Sequence, residues 1–120
     1  MPTLTVETNV KLSNPKEFVL NLSKLGADIL KKPEKYISIS YRYNEFLTFS
    51  GTFDPAFQLT VISLDNITPE STEAYSDSLF AFLKDTLGVP GDRGYIVFND
   101  PGRAYIGHEG TTFAQIFGKK

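Results

Sequence analysis

A short repeat most constrains how this chain folds. The tripeptide Leu-Thr-Val occurs at positions 4–6 and again at positions 59–61, and each copy begins a stretch in which β-forming residues alternate with polar ones. A helix and then a second strand are predicted after each stretch, so the same β-α-β unit occurs twice. We therefore expect one domain over residues 1–120, with two related halves at about 1–57 and 58–114.

Both predicted helices carry start signals and an apolar stripe. The first helix, over residues 15–31, has Asn14 as its cap and proline at its first position. The second, over residues 69–87, repeats this arrangement after Thr68 and ends before Gly88. The stripes consist of Phe18, Leu22, Leu25 and Ile29 in the first helix and of Tyr75, Leu79, Phe82 and Leu83 in the second. Spacings of three and four residues place each stripe on one helix face.

The second strands of the two units differ in pattern. Residues 36–41 alternate between apolar and polar, whereas residues 95–98 are apolar throughout, which favours a strand covered on both faces. Short additional strands are expected at residues 46–49 and 104–106. Together the elements predict an α/β fold, in which a four-stranded mixed sheet carries two antiparallel helices on one face.

Composition excludes several classes of function. Twelve Lys and Arg against fourteen Asp and Glu give a net charge of -2 without a basic run, which argues against a nucleic-acid partner. With no cysteine and one histidine, neither a disulfide nor a conventional zinc site is expected, and no metal or cofactor is predicted. The first residues lack the features of a signal peptide and no apolar segment has membrane-spanning length, so we expect no membrane partner and a cytoplasmic location. Export without a signal peptide stays open.

Motifs along nearly the whole chain match those of one protein family. The matching positions are Pro2 after Met1, Thr8-Asn9-Val10, Lys32-Pro33, Tyr36-Ile37, Phe49 with Gly51, Pro55, Ser63, Tyr75-Ser76, Asp92-Arg93, Tyr95-Ile96, Gly107 and Thr112-Phe113. In these positions the chain resembles the macrophage migration inhibitory factor and D-dopachrome tautomerase family. Residues 115–120 run beyond the usual family end and are predicted to form a C-terminal extension. The resemblance implies a homotrimer in which three sheets form a central barrel, with active sites at the subunit interfaces.

The resemblance also implies a cofactor-independent tautomerase that acts on aromatic α-keto acids such as phenylpyruvate, and on dopachrome-like compounds. Pro2 would be the general base, because removal of Met1 would give it a free secondary amine, and an α-amino group titrates near about 8. Burial and a nearby cation, for which Lys32 is the candidate, both favour the neutral amine. Taken alone, Pro2 is better explained as a common second residue that permits removal of Met1.

The resemblance supplies the remaining site residues. Lys32 would bind the substrate carboxylate and stabilise the enolate, although a lysine near a helix end is also favoured by the helix dipole. The predicted pocket residues are Leu64, Tyr36, Ile106, Phe113 and, from an adjacent subunit, Tyr95. Each of them also fits a role in core or interface packing.

Several positions depart from the family pattern. Val97 stands where the family cytokine has an asparagine that reaches the substrate, and His108 replaces a tryptophan near the pocket mouth. Residues 56–59 lack the Cys-x-x-Cys motif, and the charge pair proposed for receptor contact is half lost at Lys11 and Asn44, so a protein receptor is not supported. The alternatives are a binding or signalling protein of this family with weak tautomerase activity, and a scaffold without a small-molecule site.

Overall fold

A computed structural model of the protein describes residues 1–118. The strands are β1 (Pro2–Thr8), β2 (Ser38–Tyr43), β3 (Phe57–Ser63), β4 (Gly94–Asn99), β5 (Gly107–His108) and β6 (Thr111–Thr112). The helices are α1 (Pro15–Leu30), α2 (Pro69–Leu87) and the short α3 (Phe113–Phe117). Of the predicted extension 115–120, residues 119 and 120 lie outside the described residues. No helix within residues 1–118 is long and apolar enough to cross a membrane.

The main sheet has four strands in the order β2-β1-β3-β4. The strands within each β-α-β unit are parallel, and the two units join through antiparallel pairing of β1 with β3. In that central pair Pro2 lies opposite Ser63 and Leu4 lies opposite Val61. The predicted mixed four-stranded sheet is therefore confirmed.

The core fills the space between one face of this sheet and the two long helices. Alternate residues of β1 and β3 point into this core from the sheet, and the two helices, which lie on the same face of the sheet, enclose it from the other side. The central buried residues are Leu4, Val6, Leu59 and Val61 from the strands, Phe18, Leu22 and Leu30 from α1, and Tyr75, Leu79, Leu83 and Leu87 from α2. The helices thus cover one face, as the repeat predicts.

The apolar stripe of α1 was predicted slightly out of place. The innermost positions are Phe18, Leu22, Gly26 and Leu30, whereas Leu25 and Ile29 are only partly buried beside them. Gly26 faces Leu4 of β1, and a Cβ atom built there would be in ordinary van der Waals contact with a methyl group of Leu4, at 3.6 Å. In α2, likewise, Phe82 is partly buried and the fourth central position is Leu87.

Both helices begin with the predicted caps and end in left-handed residues. The Asn14 side chain accepts a hydrogen bond from the backbone N–H of Glu17, and Thr68 forms a reciprocal capping box with Ser71. Helix α2 ends at Gly88 with φ 71°, as predicted, but α1 ends one residue earlier than predicted, where Lys31 adopts φ 55°. At the end of each helix, the left-handed residue turns the chain back towards the sheet.

Three predicted strands need correction. The strand predicted from residue 36 begins at Ser38, because Tyr36 belongs to a 3-10 turn over Glu34–Tyr36. Residues 46–49 form only a single bridge, between Phe49 and Thr52, and the side-chain amide of Asn9 donates to the carbonyl oxygens of Leu47 and Asp54, which a neighbouring strand does not reach. The pairing expected at residues 104–106 occurs instead between β5 and β6, because Ala104 lies in the turn Arg103–Tyr105.

Strand β4 is not covered on both faces, contrary to the prediction from its apolar sequence. It is an edge strand, and on the sheet face opposite the helices Tyr95 is 68% and Val97 56% exposed. The other face, with Ile96 and Phe98, packs against the core. A single chain therefore leaves an apolar strand face open to solvent.

Candidate active site at the start of strand β1

Two adjoining cavities open where β1 begins. The proline cavity, of about 550 Å³, is lined by Met1, Pro2, Thr3, Lys35, Tyr36, Ile37, Ser38, Ile106, Gly107, His108, Glu109 and Phe113. The lysine cavity, of about 450 Å³, is lined by Met1, Lys32, Pro33, Tyr36, Leu64, Asp65, Arg103 and Phe117. Because Met1 and Tyr36 line both, the two cavities meet at the first residues of the chain. Their size suits a small ligand.

Pro2 is fully buried at the first position of β1, next to the proline cavity. A proline is tolerated at the start of a strand because it has no backbone N–H to donate to the ladder. With Met1 attached, the Pro2 nitrogen is a tertiary amide and has no basic lone pair. Only a chain that begins at Pro2 would present an amine at this position.

The electrostatics at the start of β1 favour a neutral amine. Burial, and secondly the positive charge of Lys32, lower the pKa of the Met1 α-amino group below its ordinary value of 8.0. Lys32 reaches this place because Lys31 is left-handed and turns the chain back from the end of α1. Pro2, the next residue and the first of the strand, is buried more deeply than Met1.

Tyr36 is held between the cavities by the turn that follows α1. Its backbone N–H donates to the carbonyl oxygen of Pro33 at 3.0 Å, which closes the 3-10 turn before β2. The ammonium group of Lys35 lies 5.1 Å from the centre of its ring. An aromatic ring and two lysines therefore border the cavities from this side.

A stack of three rings forms the opposite wall. His108 and Phe113 lie 5.6 Å apart with ring planes within 4°, and Phe113 and Phe117 lie 5.3 Å apart with planes within 12°. Phe113 is fixed in place because its backbone N–H donates to the carbonyl oxygen of Ile106. His108 is thus a half-exposed member of this stack.

Arg103 connects the end of α3 to Asp65, in the loop that follows β3. Its guanidinium donates to Asp65 and, through Nη1, to the carbonyl oxygens of Phe117 and Gly118 at 2.9 and 3.0 Å. Sequence reasoning missed Arg103, Asp65 and Phe117. These contacts join residues 14 to 38 positions apart, and no periodicity or resemblance signals them.

The predicted site residues fall into two groups. One chain brings six of them together around the two cavities: Pro2, Lys32, Tyr36, Leu64, Ile106 and Phe113. Tyr95 and Val97 lie elsewhere, since β4 is two strands away from β1 and the Tyr95 ring contacts Phe49 at 5.2 Å. Within residues 1–118 no group of three or more His, Cys, Asp or Glu residues is placed to hold a metal ion.

Known proteins match this chain over most of its length. The family model described as Macrophage migration inhibitory factor (MIF) matches residues 1–114. A migration inhibitory factor homolog of Trichuris trichiura is 39% identical over 114 residues, which is 94% of this chain and 100% of the relative. The Rattus norvegicus protein is 36% identical over 115 residues, with 95% and 100% covered.

Solved structures agree with the sequence relatives. The migration inhibitory factor of Trichinella spiralis is similar with a TM-score of 0.88 and 34% identity, over 92% of this chain and 99% of that one. A homologue from Prochlorococcus marinus has a TM-score of 0.87 and 29% identity, over 92% and 98%. By sequence over residues 1–114 and by the arrangement of its sheet and helices, the chain belongs to the macrophage migration inhibitory factor family.

Proposed function

We propose that this chain, once Met1 is removed, is a cofactor-independent tautomerase of aromatic α-keto acids with Pro2 as its general base. The observation that carries the proposal is the environment at the start of β1, where burial and Lys32 lower the pKa of the Met1 α-amino group beside a cavity, an environment that the Pro2 amine of the processed chain would share. A base of this kind is most useful when much of it is neutral near neutral pH. Dopachrome-like compounds are a second substrate class of the same chemistry.

The reaction moves one proton between carbon and oxygen. The neutral Pro2 amine takes a proton from the benzylic carbon of a phenylpyruvate-like substrate, and the electrons of that C–H bond shift to give an enolate. The Pro2 ammonium then gives this proton to the enolate oxygen, which yields the enol and restores the free amine. Lys32, which lines the adjoining cavity, is suited to pair with the substrate carboxylate and to stabilise the developing negative charge.

The walls of the cavities support an aromatic substrate. Tyr36, Ile106 and Phe113 present rings and an aliphatic side chain to the proline cavity, and His108 extends the wall by stacking on Phe113. A substrate that spans both cavities would bury apolar area against these walls, and its ring would stack on the series His108, Phe113 and Phe117. Leu64 adds apolar surface on the lysine side.

A homotrimer is part of this proposal. The exposed face of β4, with Tyr95 and Val97, is the kind of apolar surface that association covers. In the trimer we propose, Tyr95 of a neighbouring subunit completes each site. Sedimentation at assay concentration should give three times the 13.4 kDa chain mass, whereas a fully active monomer would contradict both the assembly and the shared site.

The experiment that tests the function compares two forms of the protein that differ by one methionine. Protein beginning at Pro2, verified by mass, should convert phenylpyruvate, and protein retaining Met1 should be nearly inactive because its Pro2 nitrogen is an amide and Met1 borders both cavities. Equal activity of the two forms would show that another group is the base.

Inactivity of both forms, measured on phenylpyruvate and on a dopachrome ester, would instead favour a binding or signalling role. The observation behind that second candidate is Val97, an exposed apolar residue at the position where the resemblance implies a polar substrate contact.

A further inference from the structure

Residues 115–118 lie beyond the part of the chain that the family model matches, yet they contribute to the candidate site. The matched region ends at residue 114, in the first turn of α3. Three residues later, Phe117 lines the lysine cavity together with Lys32, Tyr36 and Leu64. This chain therefore adds a ring to the cavity from a segment outside the shared framework.

The ring of Phe117 is held on one side by the aromatic stack. Phe113 lies 5.3 Å from it with nearly parallel planes, and Phe113 in turn stacks on His108. Phe117 is the outermost ring of this stack and is 59% exposed. A further planar group in the lysine cavity would therefore meet an aromatic surface that is already aligned.

Arg103 fixes the backbone of the same segment. It donates to the carbonyl oxygens of Phe117 and Gly118, and its guanidinium is paired with Asp65, which directly follows the cavity residue Leu64. The guanidinium also lies 6.0 Å from the centre of the Phe117 ring. The position of this ring is thus set by a stack, an ion pair and two hydrogen bonds.

We propose that Phe117 is a specificity-determining residue, which selects carboxylates bearing an aryl group over aliphatic carboxylates, and that Arg103 is the residue that positions it. Lys32 holds the carboxylate at one end of the lysine cavity, and the aryl group extends the stack that ends at Phe117. The proposal rests on the proposed tautomerase function for its substrate class, but it concerns binding and is testable without turnover.

The first measurement is the affinity of the Pro2 form for 3-phenylpropanoate, which has no keto group and cannot tautomerise, with hexanoate as the aliphatic ligand. Phe117→Ala should weaken binding of 3-phenylpropanoate by about 3- to 10-fold, the range expected for loss of one aromatic contact, and should leave hexanoate nearly unchanged. Phe117→Tyr should retain the wild-type affinity. The matched control is Ile116→Ala, which alters a 43% exposed residue of the same helix that lines neither cavity.

Arg103→Gln tests the positioning role. It should produce a loss for 3-phenylpropanoate similar to that of Phe117→Ala, and the double variant should show little further loss because both changes remove the same contact. If Arg103 bound the carboxylate itself, hexanoate would weaken equally and the positioning role would be overturned. Circular dichroism of each variant checks that the fold is intact.

The outcomes separate this proposal from the proposed function. Selective loss of aryl binding in an enzyme without phenylpyruvate turnover would leave the role of Phe117 standing and overturn the tautomerase. Turnover with unchanged aryl affinity in Phe117→Ala would overturn the role of Phe117 alone. Equal loss for both ligands, or no detectable binding of 3-phenylpropanoate by the wild type, would also overturn it.

Discussion

The two β-α-β units of this chain contain the same turn and use it differently. After α1 the sequence runs Lys31, Lys32, Pro33, and after α2 it runs Gly88, Val89, Pro90. Both turns begin with a left-handed residue and continue into a 3-10 turn closed by a hydrogen bond to the proline carbonyl. The backbone path is shared, so the side chains decide what each turn does.

In the first unit the turn builds the candidate site, and in the second it builds the core. Lys32 lines a cavity, whereas Val89 at the equivalent place is 1% exposed and packs in the core. At the ends of the 3-10 turns, Tyr36 borders both cavities, whereas Arg93 donates to the carbonyl oxygens of Asp54 and Pro55. Two turns with the same backbone path thus serve the core in one unit and line the candidate site in the other.

The largest effects are expected from substitutions of the first residues of β1 and β3, on catalysis in one strand and on stability in the other. Pro2→Gly should lower kcat/KM for phenylpyruvate by at least about 10²-fold, the low end of what a positioned general base contributes. Phe57→Ala, at the start of β3, removes a fully buried ring and should cost about 3–5 kcal/mol of unfolding free energy. Steady-state kinetics measures the change in kcat/KM, and urea unfolding measures the change in stability. A wild-type rate in Pro2→Gly would show that Pro2 is not the base and that the two units do not differ in chemistry.

An intermediate effect is expected at the two turns. Lys32→Ala should lower kcat/KM by about 10-fold through loss of one charged contact, with a small change in unfolding free energy. A rise in KM would indicate equal binding of ground and transition states, and a fall in kcat would indicate stabilisation of the enolate. Val89→Ala should do the reverse, with about 2 kcal/mol lower stability and unchanged kinetics in the folded protein.

The same Lys32 variant has a predicted effect on pH dependence. Lys32 lowers the pKa of the Met1 α-amino group, and the proposed mechanism requires the same effect on the Pro2 amine of the processed chain, so removal of Lys32 should raise the pKa of that amine. Less of the amine is then neutral at a given acidic pH, and the acid limb of the kcat/KM profile should move to higher pH. An unmoved limb would mean that Lys32 does not act on the base.

The smallest effect concerns the left-handed residues that end the helices. Gly88→Ala places a Cβ at φ 71° and should cost about 1 kcal/mol, measurable as a lower Tm. Lys31→Gly relieves the same strain at φ 55° but adds flexibility to the unfolded chain, so the net change should stay below about 1 kcal/mol. A large loss in Lys31→Gly would show that its side chain has a role that the turn does not explain.

The fold was largely predictable because its signals are local. Helix starts at Asn14 and Thr68 and the end at Gly88 follow from capping chemistry, and the repeated strands follow from alternation. Prediction failed where tertiary contacts replace local preference. Asn9 donates to carbonyl oxygens of the 47–54 segment in place of a strand, and the face of α1 that packs on the sheet contains Gly26 and Leu30 rather than Leu25 and Ile29.

The candidate site was predictable only in part. Pro2 and Lys32 were found by resemblance, since neither spacing nor composition marks them. Tyr95 and Val97 stay predictions, because one chain does not bring them to Pro2. The contact of Arg103 with Phe117 had no sequence signal, because it depends on how the segment after β6 folds back against Asp65.

Met1 and Phe117 border the same cavity, and this matters for how the protein is produced. A purification tag fused ahead of Met1 would keep the Pro2 nitrogen acylated and occupy the mouth of the cavity. A tag at the carboxyl terminus would follow Phe117 after only residues 118–120 of the chain. Recombinant material suited to enzymology therefore calls for an amino-terminal tag that a protease removes to leave Pro2 as the first residue.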